Sequence, residues 1–184
     1  MRLFVALDIP DEMRRALRAA IDDFSRVCHG ARWVRPEGIH ITLKFIGHVE
    51  DAKLVNIQEA LSGVRGGKNI EIAFRQFGFF PNDRRPHVFF VRVDAGPELR
   101  ALAAEIETHL QPLGIAKEAR AFQPHLTLAR FKSTDGLPEL RNKIASLPTL
   151  NFGGGVVAEF HLYQSMLQSG GAVYAMLSAY RFAK

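Results

Sequence analysis

Two short segments of the chain carry the same order of side chains: a histidine, an apolar residue, a threonine and a leucine. They read His-Ile-Thr-Leu at residues 40–43 and His-Leu-Thr-Leu at residues 125–128. Successive side chains of an extended strand point to opposite faces, so each histidine shares a face with its threonine and the two apolar residues share the other face. Each segment therefore predicts a polar pair on a strand whose other face is buried.

Paired imidazoles and hydroxyls suit the chemistry of a phosphodiester. Imidazole has an ordinary pKa of about 6.5, so His40 and His125 could be held in opposite protonation states near neutral pH and act as general acid and general base. The hydroxyls of Thr42 and Thr127 could donate hydrogen bonds to non-bridging oxygens. A centre with two such oxygens, between an entering and a leaving oxygen, is a phosphodiester. The near symmetry of the two segments does not decide which histidine holds the proton.

A metal ion held by the two histidines is the weaker alternative. Zinc and iron sites normally need a third protein ligand, and neither histidine is followed by an acidic residue two or four positions later. The single cysteine, Cys28, excludes an internal disulfide and a cysteine-based metal cage. We therefore expect no metal and no other cofactor.

The segments around the two motifs repeat as well. The histidines are 85 residues apart (125 − 40 = 85), and near that spacing residues 4–8 align with residues 90–94, with one residue of slack. Pro10 and Pro97 then each open an amphipathic stretch. An ancient duplication of strand, helix and histidine strand, arranged about a pseudo-two-fold axis, would bring both polar pairs into one cleft. We therefore predict that residues 1–184 form a single bilobal domain with an internal repeat.

Hydrophobic periodicity predicts the elements that must position these residues. The predicted helices cover residues 10–28, 51–61, 97–110 and 137–147. The predicted strands cover residues 3–7, 40–46, 70–74, 87–93, 122–131, 156–162 and 173–180. The glycines at residues 153–155 indicate a turn or a bulge. We interpret Trp33 as a core residue rather than a base-stacking one, and His161 and Tyr163 as structural.

Composition places limits on the class of protein. A chain of 184 residues with 47% apolar residues is one domain or two intimately packed lobes. It has 24 basic and 19 acidic side chains, a formal charge of +5, which favours a polyanionic partner without naming one. The N-terminal apolar run is interrupted at Asp8 and lacks a small-residue cleavage site, so we expect neither a signal peptide nor a membrane span. With a single cysteine, a cytoplasmic location fits best.

The two motifs and their flanks resemble those of the 2H phosphoesterase superfamily. The match is to its RNA 2′,3′-cyclic phosphodiesterase branch, whose members were once called 2′-5′ RNA ligases, and it covers essentially the whole chain. The flanks that carry it are residues 2–7, 33–36, 44–47, 124, 129–130 and 162–165. The resemblance implies an α+β fold of two duplicated lobes, with two antiparallel sheets lining a central cleft and helices outside. It also implies a metal-independent enzyme that opens a terminal 2′,3′-cyclic phosphate to a 2′-phosphate.

The resemblance also implies roles for particular residues. His40 would protonate the departing 3′ oxygen, His125 would activate water, and the two motif threonines, Thr42 and Thr127, would hold phosphate oxygens. Phe45 and Arg130, each five residues after a histidine, would flank the terminal nucleobase or phosphate. A regular strand puts that position on the opposite face from the histidine, so this role requires a bulge or a strand end. The alternative for Phe45 is a place in the core.

The expected partner is an RNA that ends in a 2′,3′-cyclic phosphate, with no membrane and no obligate protein partner. Arg35, Arg84 and Arg85 are expected to attract the RNA backbone, although the last two could equally form a solvated turn. Three alternatives remain open: a non-catalytic RNA- or nucleotide-binding module, a phosphodiesterase for another cyclic phosphate such as that of ADP-ribose, and an enzyme that forms 2′-5′ linkages by reversal without ATP.

Overall fold

The computed structural model describes residues 1–169 and 171–183. The strands are β1 (Arg2–Leu7), β2 (Ala31–Trp33), β3 (Ile41–His48), β4 (Ile70–Phe80), β5 (Val88–Ala95), β6 (His125–Phe131), β7 (Asn151–Val157), β8 (Glu159–Gln168) and β9 (Gly171–Arg181). The α-helices are α1 (Asp11–Ser25), α2 (Leu54–Ser62), α3 (Pro97–Leu110) and α4 (Leu137–Ala145). Short 3₁₀ helices cover Pro36–Gly38, Asp51–Lys53 and Gln111–Leu113. No helix in the described residues is both long and apolar enough to cross a lipid bilayer.

The strands of the described chain form one antiparallel sheet. Their order is β7-β4-β5-β6-β3-β1-β8-β9, and β2 pairs with β6. At the centre, β3 and β6 are paired at Ile41 and Leu126, so this position joins two four-stranded halves. The predicted α+β fold with antiparallel strands around a cleft is confirmed, and the two predicted sheets are the halves of one sheet, joined by the pairing of β3 with β6.

The helices and one face of the sheet share the hydrophobic core. In α1 the buried residues recur at helical spacing, and α3 presents a similar apolar face. In β1 the alternate residues Leu3, Val5 and Leu7 join them. Each large apolar side chain buried in this way stabilises the fold by about 1.5–3 kcal/mol. Phe4 and Phe90 are also buried, but they lie apart from this core and contact the cleft histidines.

The predicted helices and most predicted strands are found with shifted ends, and one predicted strand is wrong. Residues 156–162 do not form a single strand, because β7 ends at Val157 and β8 begins at Glu159. The two strands pair with different neighbours, β7 with β4 and β8 with β1 and β9. The three glycines lie within β7, beside an irregularity in its pairing with β4. A Cβ on Gly154 would lie 2.3 Å from the carbonyl oxygen of Ile72, so only glycine permits this approach.

The pairing of the strands also corrects the alignment of the two halves. Leu7 of β1 pairs with Ile41, and Val91 of β5 pairs with Leu126. Leu7 therefore corresponds to Val91, whereas the alignment of residues 4–8 with 90–94 matched it to Val93. That alignment is wrong by two residues. The matching pairings support the interpretation of an internal repeat, which stays a prediction.

Candidate active site

Strands β3 and β6 bring the two histidine motifs side by side. The position at which they pair lies between the histidine and the threonine of each motif. Because the strands are antiparallel, continuing this register by one residue places His40 across from Thr127 and Thr42 across from His125. All four side chains line one cleft of about 230 Å³. The structure therefore brings together the four residues that the sequence singled out.

The two imidazole rings are held by equivalent hydrogen bonds. His40 Nδ1 lies 2.7 Å from the carbonyl oxygen of Gly38, and His125 Nδ1 lies 2.7 Å from that of Gln123. A carbonyl only accepts hydrogen bonds, so we infer that Nδ1 carries the proton in both rings. In the neutral ring, Nε2 then keeps its lone pair and is the nitrogen that remains for a substrate.

Aromatic rings surround both histidines. The ring of His40 stacks on Phe4 at a centroid distance of 4.7 Å. The ring of Tyr174 is nearly perpendicular to that of His40, at a centroid distance of 5.2 Å. The ring of His125 meets Phe80 edge to face at 5.2 Å. These neighbours cover part of each ring and hold its plane, while both histidines stay partly exposed.

This burial changes how the histidines titrate. Desolvation lowers the pKa of His40 from 6.5 to about 4, although the Gly38 carbonyl and the carboxylate of Asp8 oppose the shift. Desolvation also lowers the pKa of His125, and the positive charge of Arg130 adds to the effect. Both rings are therefore neutral in the empty cleft at neutral pH. An anion bound between them would raise both pKa values.

A β-bulge in each strand brings Phe45 and Arg130 to the cleft. In β3 the extra residue is Leu43, which lies between two residues paired with consecutive positions of β1. In β6 it is Leu128, in the same place relative to its histidine. An extra residue reverses the alternation of faces, so the fifth residue after each histidine returns to the cleft face. Both side chains line the cleft, as the predicted roles require.

Phe45 does not belong to the core. Its side chain is 52% exposed, so the alternative that it fills the interior is wrong. Lys44, the residue before it, is buried on the other side of the strand. Its Nζ lies 2.8 Å from Glu107 Oε1 and 2.6 Å from the carbonyl oxygen of Ala116. The bulge therefore places Phe45 in the cleft and turns its neighbour Lys44 towards α3.

No set of three or more His, Cys, Asp or Glu side chains in residues 1–169 and 171–183 is arranged to hold a metal ion. The polar side chains of the cleft are two imidazoles, four hydroxyls and two guanidiniums, from His40, His125, Thr42, Thr127, Ser165, Tyr174, Arg2 and Arg130. Such a set can bind an anion and transfer protons to and from it.

Comparison with known proteins gives the family. The model of the 2′-5′ RNA ligase superfamily matches residues 13–165. The chain belongs to this superfamily. It is 36% identical over 180 residues to the RNA 2′,3′-cyclic phosphodiesterase of Archaeoglobus fulgidus, covering 98% of this chain and 99% of that protein. It is 32% identical to the protein of the same name from Methanocaldococcus jannaschii, covering 96% of this chain and 98% of that one.

Solved structures share the fold of this chain. The crystal structure of TT0787 from Thermus thermophilus superposes with a TM-score of 0.82 at 30% identity, covering 99% of this chain and 98% of that one. E. coli LigT in complex with 3′-AMP has a TM-score of 0.80 at 23% identity, covering 100% of this chain and 98% of that one, and supports the fold alone.

Part of the cleft of this superfamily member was missed from sequence. Phe4 of β1 and the hairpin residues Ser165, Leu167 and Tyr174 also line it. Phe4 lies in a continuous apolar run, where alternation gives no sign that one face meets a cleft. The sequence did contain an indication of these residues, because segments 2–7 and 162–165 are among the flanks that carry the family resemblance.

His161 and Tyr163 support the cleft from behind without lining it. The hydroxyl of Tyr163 donates to Asp8 Oδ1 at 2.7 Å, and its ring stacks on Phe4 at 5.4 Å. The buried His161 lies with Nδ1 3.6 Å from Asp8 Oδ2. Trp33 Nε1 donates to a backbone carbonyl, and its ring packs in the core. These positions agree with the structural roles predicted for all three residues.

Proposed function

We propose that this protein is an RNA 2′,3′-cyclic phosphodiesterase that opens a terminal cyclic phosphate to a 2′-phosphomonoester. The observation that carries the proposal is the convergence of two His-x-Thr motifs, on adjacent antiparallel strands, in one cleft. Relatives of nearly the same length that carry this activity in their names support it.

The proposed reaction has one displacement at phosphorus. His125 Nε2 removes a proton from a water molecule, whose oxygen forms the new bond to phosphorus. The bond from phosphorus to the 3′ oxygen breaks, and His40 Nε2 gives its proton to that oxygen. The product keeps the phosphate on the 2′ oxygen. The assignment of His40 as donor and His125 as acceptor rests on the resemblance to the family.

The threonines have a matching task. Each lies across from the histidine of the other motif, so Thr42 and Thr127 flank the space between the imidazoles. Their hydroxyls would donate to the two non-bridging oxygens, whose negative charge increases as water attacks. His40 would take up its proton from solvent as the substrate binds, because the anionic phosphate opposes the effect of burial on its pKa. The enzyme would then carry the imidazolium form of His40, which catalysis needs, only when the substrate is bound.

The terminal nucleotide would be held by Phe45 and Arg130. An exposed aromatic ring can stack on any nucleobase, which suits an enzyme that acts on many RNA ends. The same geometry permits 2′-5′ ligation if the 5′-hydroxyl of another RNA attacks instead of water. The strained ring would drive that reaction without ATP.

The test is incubation of the purified protein in EDTA with cyclic-phosphate RNAs and with ADP-ribose cyclic phosphate. We expect hydrolysis of the RNA ends, with the phosphate on the 2′ oxygen as read by ³¹P NMR, and no loss of rate in EDTA. A rate lost in EDTA and restored by one divalent ion would refute the metal-independent scheme. A strong preference for the ADP-ribose compound would refute RNA as the substrate.

A further inference from the structure

Two arginines lie directly opposite each other at the edge of the cleft. Arg32 of β2 pairs with Arg130 of β6, so both side chains are on the same face of the sheet. Both are exposed, and neither forms an ion pair with a carboxylate in the part of the chain that the structure describes. Like charges at directly opposed positions of a sheet are destabilising. An anion between them would remove this repulsion.

The space beside these arginines is a cavity next to the cleft. It has a volume of about 170 Å³ and is lined by Arg32, Arg130 and Tyr174, among others. Arg130 and Tyr174 also line the cleft of the histidines, so the two spaces share a wall. A ligand in the cleft can therefore extend into the cavity.

The guanidinium of Arg32 lies close to Gly171, the first residue of β9. Its Nη2 lies 3.1 Å from the position that a Cβ on Gly171 would occupy, and Gly171 has a φ of +128°. The absence of a side chain there allows the guanidinium to lie against the hairpin. Arg32 and Gly171 therefore line the same side of the cavity.

We propose that Arg32 and Arg130 form a second phosphate subsite, which binds a phosphate other than the reacting one. Its occupant is the phosphodiester that joins the terminal nucleotide of the RNA to the nucleotide before it. This inference rests on the proposed function, because the histidines and threonines already account for the cyclic phosphate. Guanidinium groups bind phosphate oxygens through paired, charge-assisted hydrogen bonds, and two of them suit one phosphate monoanion. A 5′-phosphate on a single nucleotide has the same chemistry and is the other possible source.

The test compares four substrates that differ only in the second phosphate. They are a nucleoside 2′,3′-cyclic phosphate, the same compound with a 5′-phosphate, a dinucleotide ending in the cyclic phosphate, and that dinucleotide with an uncharged methylphosphonate link. We expect the dinucleotide to exceed the nucleoside in kcat/KM by roughly ten- to a hundredfold, and the methylphosphonate to lose most of this gain. A gain from the 5′-phosphate alone would show that the subsite takes either source.

The matched variants are Arg32→Gln and Arg141→Gln, the latter an exposed arginine of α4 that lines neither space. Arg32→Gln should reduce the kcat/KM ratio of dinucleotide to nucleoside to near one, whereas Arg141→Gln should keep the wild-type ratio. An unchanged ratio in Arg32→Gln, or an equally good methylphosphonate, would overturn the subsite. Dissociation constants for the 2′-phosphate products, measured in parallel, give the same ratio without turnover. If no substrate is hydrolysed, the proposed function fails while the binding ratio still decides the subsite.

Discussion

The tautomer of each cleft histidine is set by the backbone. Because Nδ1 of His40 and of His125 donates to a neutral carbonyl, no carboxylate bonded to the ring stabilises an imidazolium. Burial among aromatic rings then favours the neutral form. This arrangement makes the protonation state of the cleft depend on its ligand.

Replacing either histidine tests their proposed roles. We expect His40→Ala and His125→Ala each to lower kcat by roughly 10²–10⁴-fold, about 3–5 kcal/mol of barrier, because each removes one proton transfer. The double variant should lose far less than the product of the two effects, since the residues act as a unit. Single-turnover rates on a nucleoside 2′,3′-cyclic phosphate measure both. A single variant with a rate near wild type would rule out the acid–base scheme.

The pKa shifts predict the pH dependence. Burial lowers the pKa of both rings below 6.5, so above that pH the imidazolium that the reaction needs is the minor form in the free enzyme and becomes rarer as the pH rises. We therefore expect kcat/KM to fall about tenfold per pH unit above about pH 6.5. The fall in kcat should begin at higher pH, because the bound phosphate raises the pKa of His40. Initial rates between pH 5 and 9 provide the check, and a kcat/KM that stays constant to pH 8 would contradict it.

At the scale of the strand, the two bulges explain what the sequence could and could not predict. The alternation of side chains along a strand correctly placed each threonine on the same face as its histidine. It also showed that Phe45 and Arg130 can reach that face only if the strand is irregular. It could not locate the irregularity, because the extra residues Leu43 and Leu128 are ordinary buried leucines. A bulge is defined by pairing with a neighbouring strand, which one segment of sequence does not contain.

Phe45→Ala tests the consequence of the β3 bulge. Loss of a base–aromatic stack should raise KM on cyclic-phosphate substrates by roughly 5- to 150-fold, corresponding to about 1–3 kcal/mol. The melting temperature should stay close to that of the wild type, since the side chain is 52% exposed. Kinetics and thermal unfolding on the same preparation separate the two effects. A variant that is destabilised but keeps its KM would restore a packing role for Phe45.

Lys44 should be structural although it lies between two cleft residues. Burial alone would raise the pKa of Glu107, but hydrogen bonds from Lys44 and from the backbone N–H of Glu118 lower it instead. Lys44→Met leaves this carboxylate without its cation, so we expect the free energy of unfolding to fall by about 2–4 kcal/mol. Lys44→Met with Glu107→Leu should recover part of the loss. Urea unfolding measures both variants, and wild-type stability in the single variant would show that the pair contributes nothing.

For the whole molecule, the repeat was easier to predict than its register. A shift of two residues keeps every side chain of a strand on the same face, so the hydrophobic pattern of residues 90–94 accepts either alignment. Only the pairing of Leu7 and Val91 with the two motifs decides between them. The division between β7 and β8 was missed for a similar reason, because Ala158 gives no glycine or proline signal of a turn at the point where the pairing partners change.

Part of the net positive charge of the protein lies in the loop after β4, at Arg84 and Arg85. The backbone N–H groups of Arg84 and Arg85 both donate to Asn82 Oδ1, which turns the loop and leaves both side chains exposed. The loop follows directly on Phe80, which contacts His125, so we expect an RNA bound in the cleft to pass near it. Neither arginine lines the cleft, so we expect the two to attract the backbone of a long substrate rather than to bind its terminal nucleotide.

Replacing both with glutamine should weaken the binding of a long cyclic-phosphate RNA and leave kinetics on a nucleoside 2′,3′-cyclic phosphate unchanged. For single-stranded RNA, the slope of log affinity against log salt should become shallower by about 0.7 for each phosphate that the protein no longer neutralises, because fewer counterions are released. The control is the pair Arg15→Gln and Arg141→Gln, on the exposed sides of α1 and α4, which removes the same charge from residues that do not line the cleft. Fluorescence anisotropy at several salt concentrations gives both slopes. If the two double variants share one slope, net charge alone attracts the RNA, and Arg84 and Arg85 are only a solvated turn.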